Sequence, residues 1–397
     1  MFAARSFGAL ALLVSVAWVR GDSSAAATAS WASETFSPRP DTVPDPRDAK
    51  LAALCGGGLD AGLDAAASDL APGLIETGEL PDAQEIEFRQ RMHGNPHVWA
   101  RTWGARSVGG PLDRAALVKD VTKWLGSSAG QLRCGVGSVK STDAGGSVRE
   151  GIVVIAIDPV AELAAVPTKV SVGTWIDLDA ALLGGGTSGK VVLLPPRGIP
   201  KTVLSSTTGS TPAHVRSRVS IASAGRWVVQ IMADDGAGPR PVAEAEIYAG
   251  IEPPTSPPSS APPGEAAGDG VDDPEAALLA RLNGARAAES LSALTIDTNL
   301  AALAKAHALA MKKAKLVGHD VGDGDPGARV TASGATWKIV GENVAKARGE
   351  RAAHRALYAS PSHRAAMLEA RFTKVGIAAI VDAKSGDVWV AELFGGP

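Results

Sequence analysis

The sequence predicts a multidomain α+β protein, and three observations carry that expectation. The chain has 397 residues, more than one hydrophobic core ordinarily serves. Residues 251–273 are crowded with proline, glycine and serine and show no apolar periodicity, as in an extended linker. Strand-like texture precedes that stretch and helix-like texture follows it. The expected order is a leader over 1–27, an α+β domain over 45–158, a β-sandwich over 159–250, the linker over 251–273 and a second α+β domain over 274–397.

The leader is read from Arg5, an apolar run from Phe7 to Val19, and small residues from Ala25 to Ala29. Such a run is too short to span a bilayer comfortably, and a signal peptide fits it better. No later segment is apolar for long enough to be a membrane helix. In an exported chain the two cysteines, Cys55 and Cys134, are expected to form one disulfide. The expected location is therefore secreted or periplasmic.

Between 159 and 250, "TWIDLDAAL", "KVVLLPP", "HVRSRVSIA" and "RWVVQIMAD" carry β-branched or aromatic residues, punctuated by "GGGTSG" and "SAG". Short strands at this spacing predict an antiparallel sandwich of immunoglobulin-like shape. Trp175 and Trp227 are expected in its core. No catalytic constellation is visible there.

The last segment opens with Asp273, Pro274 and Glu275, which supply a cap, a first-position proline and a first-turn acid. Leu278, Leu279, Leu282 and Ala285 form one helical stripe, and Leu300, Leu303, Ala304, His307 and Met311 another. His307 is expected as a packed or cleft-wall residue. "KVGIAAIVDA" and "DVWVAELF" flank Lys384, Ser385 and Gly386 as a β-hairpin. In "YASPSHRAAML", Ser360 suits an N-cap and Pro361 the first helical position, which puts His363 third, where the helix N-terminus favours a neutral ring. His354 shares its helix with Arg351 and Arg355 and reads as solvated. From Glu275 onward there are 16 Lys and Arg against 12 Asp and Glu. The basic residues, including Lys305, Lys312, Lys313, Lys315 and Arg348, read as solvated helix faces, with no nucleic-acid site. A serine nucleophile at Ser360 or Ser362 lacks both a "GxSxG" elbow and an orienting acid.

"GHDVGDGDPGAR" from Gly318, "GENVA" from Gly341, "SPSHRAAML" from Ser360, "KVGIAAI" from Lys374 and "VWVAELF" from Val388 occur in the order seen in bacterial CAP domains. The segment from Pro274 to Phe394 resembles that superfamily, which includes cysteine-rich secretory proteins, antigen 5 and pathogenesis-related 1 proteins. The resemblance implies an α–β–α sandwich, secretion, and a cleft where two histidines and one or two glutamates converge. Carried over, the cleft residues are His319, Glu342 and His363. Two imidazoles and a carboxylate could hold zinc or another divalent cation. The same trio could instead bind a metal-free polar ligand, or Glu342 could act as a base in metal-assisted hydrolysis. The second glutamate of animal members has no clear counterpart, since Glu350 lies near the start of its helix. Asn343 is expected to hold buried backbone groups, and Ser360 to cap its helix.

"CGVGSVKSTDAGGSVREGIVVIAID", from Cys134, has the layout of the C-terminal hairpin, with Gly137 in the place of Gly376 and Leu63 upstream in that of Leu300. Residues 45–158 are therefore expected to be a divergent CAP-like copy without the cleft motifs. The expected function is a secreted binding or interaction module for a lipid, peptide or cell-envelope component. The alternative is a secreted metal-dependent hydrolase using the same cleft.

Overall fold

The computed structural model describes residues 30–37, 46–126, 132–142, 145–183, 186–234, 238–257, 261–383 and 385–397. The leader read over 1–27 lies outside them, as does Lys384 of the expected hairpin turn. Among the described residues no helix is long and apolar enough to cross a membrane.

The first domain contains β1 (Glu34–Thr35), α1 (Ala49–Ala52), α2 (Ala61–Thr77), α3 (Ala83–Met92), β2 (Arg101–Val108), α4 (Arg114–Leu125), β3 (Arg133–Thr142) and β4 (Val148–Ile157). An antiparallel sheet runs in the spatial order β2, β4, β3. Alternation along β4 buries both of its faces. Ile152, Val154 and Ala156 pack with Leu117, Val121 and Leu125 of α4, whereas Val153, Ile155 and Ile157 pack with Leu63, Ala67 and Leu70 of α2. The result is an α–β–α sandwich. Cys55 and Cys134 form the expected disulfide, tying the turn after α1 to β3.

The second domain comprises β5 (Ala161–Leu163), β6 (Val166–Pro167), β7 (Lys169–Val170), β8 (Trp175–Leu182), β9 (Ser188–Leu194), β10 (Lys201–Val203), β11 (Ser205–Thr208), β12 (Ala213–Ser220), β13 (Gly225–Asp234) and β14 (Pro239–Ala249). One sheet has the order β10-β9-β13-β14-β7 and the other β11-β12-β8-β5. Counted over β5, β8, β9, β11, β12, β13 and β14 alone, the first, second, fifth and fourth strands share one sheet and the third, sixth and seventh the other, as in an immunoglobulin sandwich. Trp227 is buried in the core as expected. Trp175 is not: it is 60% exposed, because Ile176, Leu178, Ala180 and Leu182 take the inward face of β8 and leave Trp175 outward.

The segment read as a bare linker is docked along part of its length. Glu265–Gly268 form a single 3-10 turn. Buried Glu265 pairs with Arg351 and Arg355, whose side chains remain partly exposed.

The third domain contains α5 (Pro274–Ala288), β15 (Thr295–Ile296), α6 (Thr298–Ala314), α7 (Pro326–Ala332), β16 (Ile339–Ala347), α8 (Glu350–Ala359), α9 (Pro361–Met367), β17 (Lys374–Val381) and β18 (Val388–Gly396). Its sheet has the order β15-β17-β18-β16. One face carries Val375, Ile377 and Phe394 against Leu278, Leu282 and Leu357, and the other carries Ala378, Ala391 and Leu393 against Leu300, Ala304 and Met311. This is again an α–β–α sandwich, and it repeats the first in detail. Asp60 and Asp297 cap α2 and α6 through Leu63 and Leu300. Their own N–H groups bond Cys134 O and Val375 O at 2.8 and 3.0 Å. A side chain on Gly135 or on Gly376 would meet the backbone of Leu63 or Leu300, respectively, at 2.0 Å. The glycine that matches Gly376 is thus Gly135, two residues before the Gly137 expected from the sequence.

Candidate cleft of the third domain

His319, in the loop after α6, meets Glu342, in β16. His319 Nδ1 donates to Glu342 Oε1 at 3.0 Å. The other carboxylate oxygen, Oε2, accepts from Arg329 Nη2 on α7. Glu342 is buried, and burying a carboxylate is tolerable only when it is paired and hydrogen-bonded. Arg329 also reaches Asp323 Oδ2 at 3.3 Å. Fully buried His307 faces two acceptors, Asp323 Oδ2 at 2.8 Å and Gly318 O at 2.9 Å, with its Nε2 3.7 Å from Glu342 Oε1. Burial pushes the Asp323 carboxyl up, but the His307 hydrogen bond and charge, with Arg329, outweigh it and hold it below its ordinary range. His307 is therefore packed beneath the His319–Glu342 pair. Arg329 and Asp323 lie inside the motif that signalled His319, but a sequence offers no means of telling which of its charged side chains turn inward.

His363 occupies the third position of α9, with Pro361 first, as the local sequence requires. Its neutrality has a different cause from the expected helix terminus: burial, followed by the charge of nearby His319, pushes the ring down to about 4. Ser360 stands at the N-cap position but its hydroxyl makes no capping bond. It lies instead 2.9 Å from His363 Nδ1. Asn343 Nδ2 donates to His363 O at 3.1 Å and to Glu392 Oε2 at 3.2 Å, which ties β16 to α9 and β18. Glu392, on β18, is fully buried; desolvation pushes it up to about 7, partly offset by the Asn343 bond. Strand alternation alone would have left Glu392 unremarked. Glu350 takes no part in the cleft and pairs with Arg281 at 3.4 Å. His354, expected to be solvated, is fully buried.

Among the described residues no group of three or more His, Cys, Asp or Glu is placed to hold a metal ion. The donor chemistry gives the reason for the expected trio. Both Glu342 oxygens are engaged, one by a guanidinium, so a cation on this carboxylate would sit beside the Arg329 charge. The arrangement as it stands does not fit a zinc site made of His319, Glu342 and His363.

Residues 279–393 match the family model described as CAP, the cysteine-rich secretory protein family. No curated protein matches the chain. Among solved structures the chain is similar to an outer surface protein of Borrelia burgdorferi, at 21% identity and a TM-score of 0.30, over 32% of this chain and 93% of that one. It is similar to an extracellular SCP-domain protein of Bacillus anthracis, at 14% identity and a TM-score of 0.29, over 60% and 86% of the two chains. A cysteine-rich secretory protein of Staphylococcus aureus gives 12% identity and a TM-score of 0.27, over 61% and 81%. The C-terminal domain of this chain is a CAP domain.

Proposed function

We propose that the protein is an extracellular binding module whose CAP cleft holds a neutral polar ligand, of the peptide or cell-envelope kind, against His319, Glu342 and His363. The leader-like start of the sequence and the Cys55–Cys134 disulfide support work in an oxidising compartment, secreted or periplasmic. The observation that carries the binding reading is the closed pairing of Glu342 with His319 and Arg329. A general base needs a carboxylate oxygen within reach of the proton it takes, and here both oxygens already accept hydrogen bonds. The metal-dependent hydrolase has less support for that reason.

Titration of the full-length chain with blocked dipeptide amides, followed by NMR at the two cleft imidazoles, tests the proposal. We expect the amides to move the resonances of both His319 and His363, and His319→Ala to weaken binding by about tenfold, the scale of one hydrogen bond in a charged network. Hydrolysis of the same amides in the presence of zinc chloride, lost in Glu342→Gln, would overturn the binding reading in favour of the enzyme.

A further inference from the structure

The β13–β14 hairpin of the sandwich lies beside His319 and bonds Ser360 and Ser362, which flank His363. Gly238, immediately before β14, lies against His319, since a side-chain carbon on it would fall 3.7 Å from His319 Cβ. Gln230 in β13 is fully buried and spends its whole amide at the domain boundary. Its Oε1 accepts from Ser362 N at 2.8 Å, while its Nε2 donates to Ser360 Oγ at 3.0 Å and to Glu244 Oε1 at 2.6 Å. Glu244 Oε2 accepts in turn from Arg91 Nη2 of the first domain at 3.3 Å.

The Ser362 bond fixes which end of the Gln230 amide is oxygen, so Ser360 Oγ receives a hydrogen from Gln230. A hydroxyl has one hydrogen of its own to give. Two acceptors are near: His363 Nδ1 at 2.9 Å and Ser362 Oγ at 3.5 Å. Only the first is within the ordinary reach of an O–H donor. His363 Nδ1 is thus the nearer acceptor for the Ser360 hydrogen, and a ring that accepts it there carries its own hydrogen on Nε2.

We infer that the sandwich forms part of the CAP cleft, with Gln230 a positioning residue that acts through Ser360 to hold His363 as its Nε2–H tautomer. An Nε2–H on His363 is a donor, which suits the carbonyl oxygen of a neutral polar ligand, whereas a cation takes a lone pair. This deepens the binding reading above and, for the ligand class, rests on it.

Imidazole nitrogen spectra of the ligand-free, full-length chain test the positioning, with His363 assigned by the signals lost in His363→Gln. The wild type should carry the His363 hydrogen on Nε2. Gln230→Ala should lower the ratio of Nε2–H to Nδ1–H forms by about five-fold, the worth of one ordinary hydrogen bond. Ser360→Ala, which removes no capping bond and leaves Ser362 N to hold Gln230, should lower it as well. A wild-type hydrogen on Nδ1, or a ratio unchanged in both variants, would overturn the inference. The spectra need no ligand, so failure of dipeptide amides to bind would count against the binding reading and leave the tautomer result standing.

Discussion

His354 is fully buried on the face of α8 that it shares with Ala353, Leu357 and Tyr358, and its ring stacks on Tyr358. Among the described residues neither ring nitrogen has a hydrogen-bond partner. Desolvation, aided by Arg281 and Arg355 and opposed by Glu265, pushes the ring from its ordinary 6.5 down to about 4. The sign follows directly: below pH 6.5 the unfolded chain takes up a proton that the folded ring refuses, so stability falls until about pH 4 and then levels. The loss assigned to this one residue is about 3 kcal/mol. His354→Phe should therefore unfold in urea with a shallower decline between pH 7 and pH 4.5 than the wild type, and parallel declines would show that the ring is neutral for no energetic reason. The spacing of Ala353, His354, Leu357 and Tyr358 was the available signal for burial. Two flanking arginines masked it, because their partner, Glu265, comes from a segment with no pattern of its own.

That segment meets α5 through two glycines. Gly264 has a φ of +76°, and a side-chain carbon on it would lie 2.0 Å from the backbone of Gly284; the reverse substitution would meet Gly264 O at 2.5 Å. Alanine normally improves a helix interior over glycine by about 1 kcal/mol. At position 284 the clash should reverse that sign, lift the 3-10 turn from α5 and speed limited proteolysis between Pro253 and Gly270. Cleavage no faster in Gly284→Ala than in the wild type would mean that the glycine contact does not hold the strip. The helices and strands themselves were legible because each obeys its own period, 3.6 in α5 and α6 and 2 in β8 and β13. The docking of the strip was not, since it depends on side chains that are absent, and absence carries no periodic mark. The same limit explains the two-residue slip in matching the domains: "CGVG" offers Gly135 and Gly137 equally, and only the approach of Leu63 selects Gly135.

At the scale of the molecule, the shared plan of the first and third domains supports reading residues 45–158 as a divergent copy that keeps the capped helix on a glycine and lacks the cleft motifs. The sandwich between them is bonded to both. β1 pairs with β6, His97 bridges to Ala243, and Arg91 reaches Glu244 on one side. On the other side Gln230 holds Ser360 and Ser362, and Ile199 packs on the core of the third domain. Trp31 adds a further tie, donating to Pro254 O and packing edge-on against Phe88 and Tyr248. Separate melting of the third domain would forfeit the bonds of Gln230 to Ser360 and Ser362, about 0.5–1.5 kcal/mol each. Calorimetry of the full-length chain should therefore show one endotherm, with calorimetric and van't Hoff enthalpies in agreement. Gln230→Ala should separate from it a lower-melting transition belonging to the CAP domain. Resolved transitions already present in the wild type would sink the idea of a single cooperative body. They would also make Pro274–Pro397, a closed set of helices and strands, an independent folding unit.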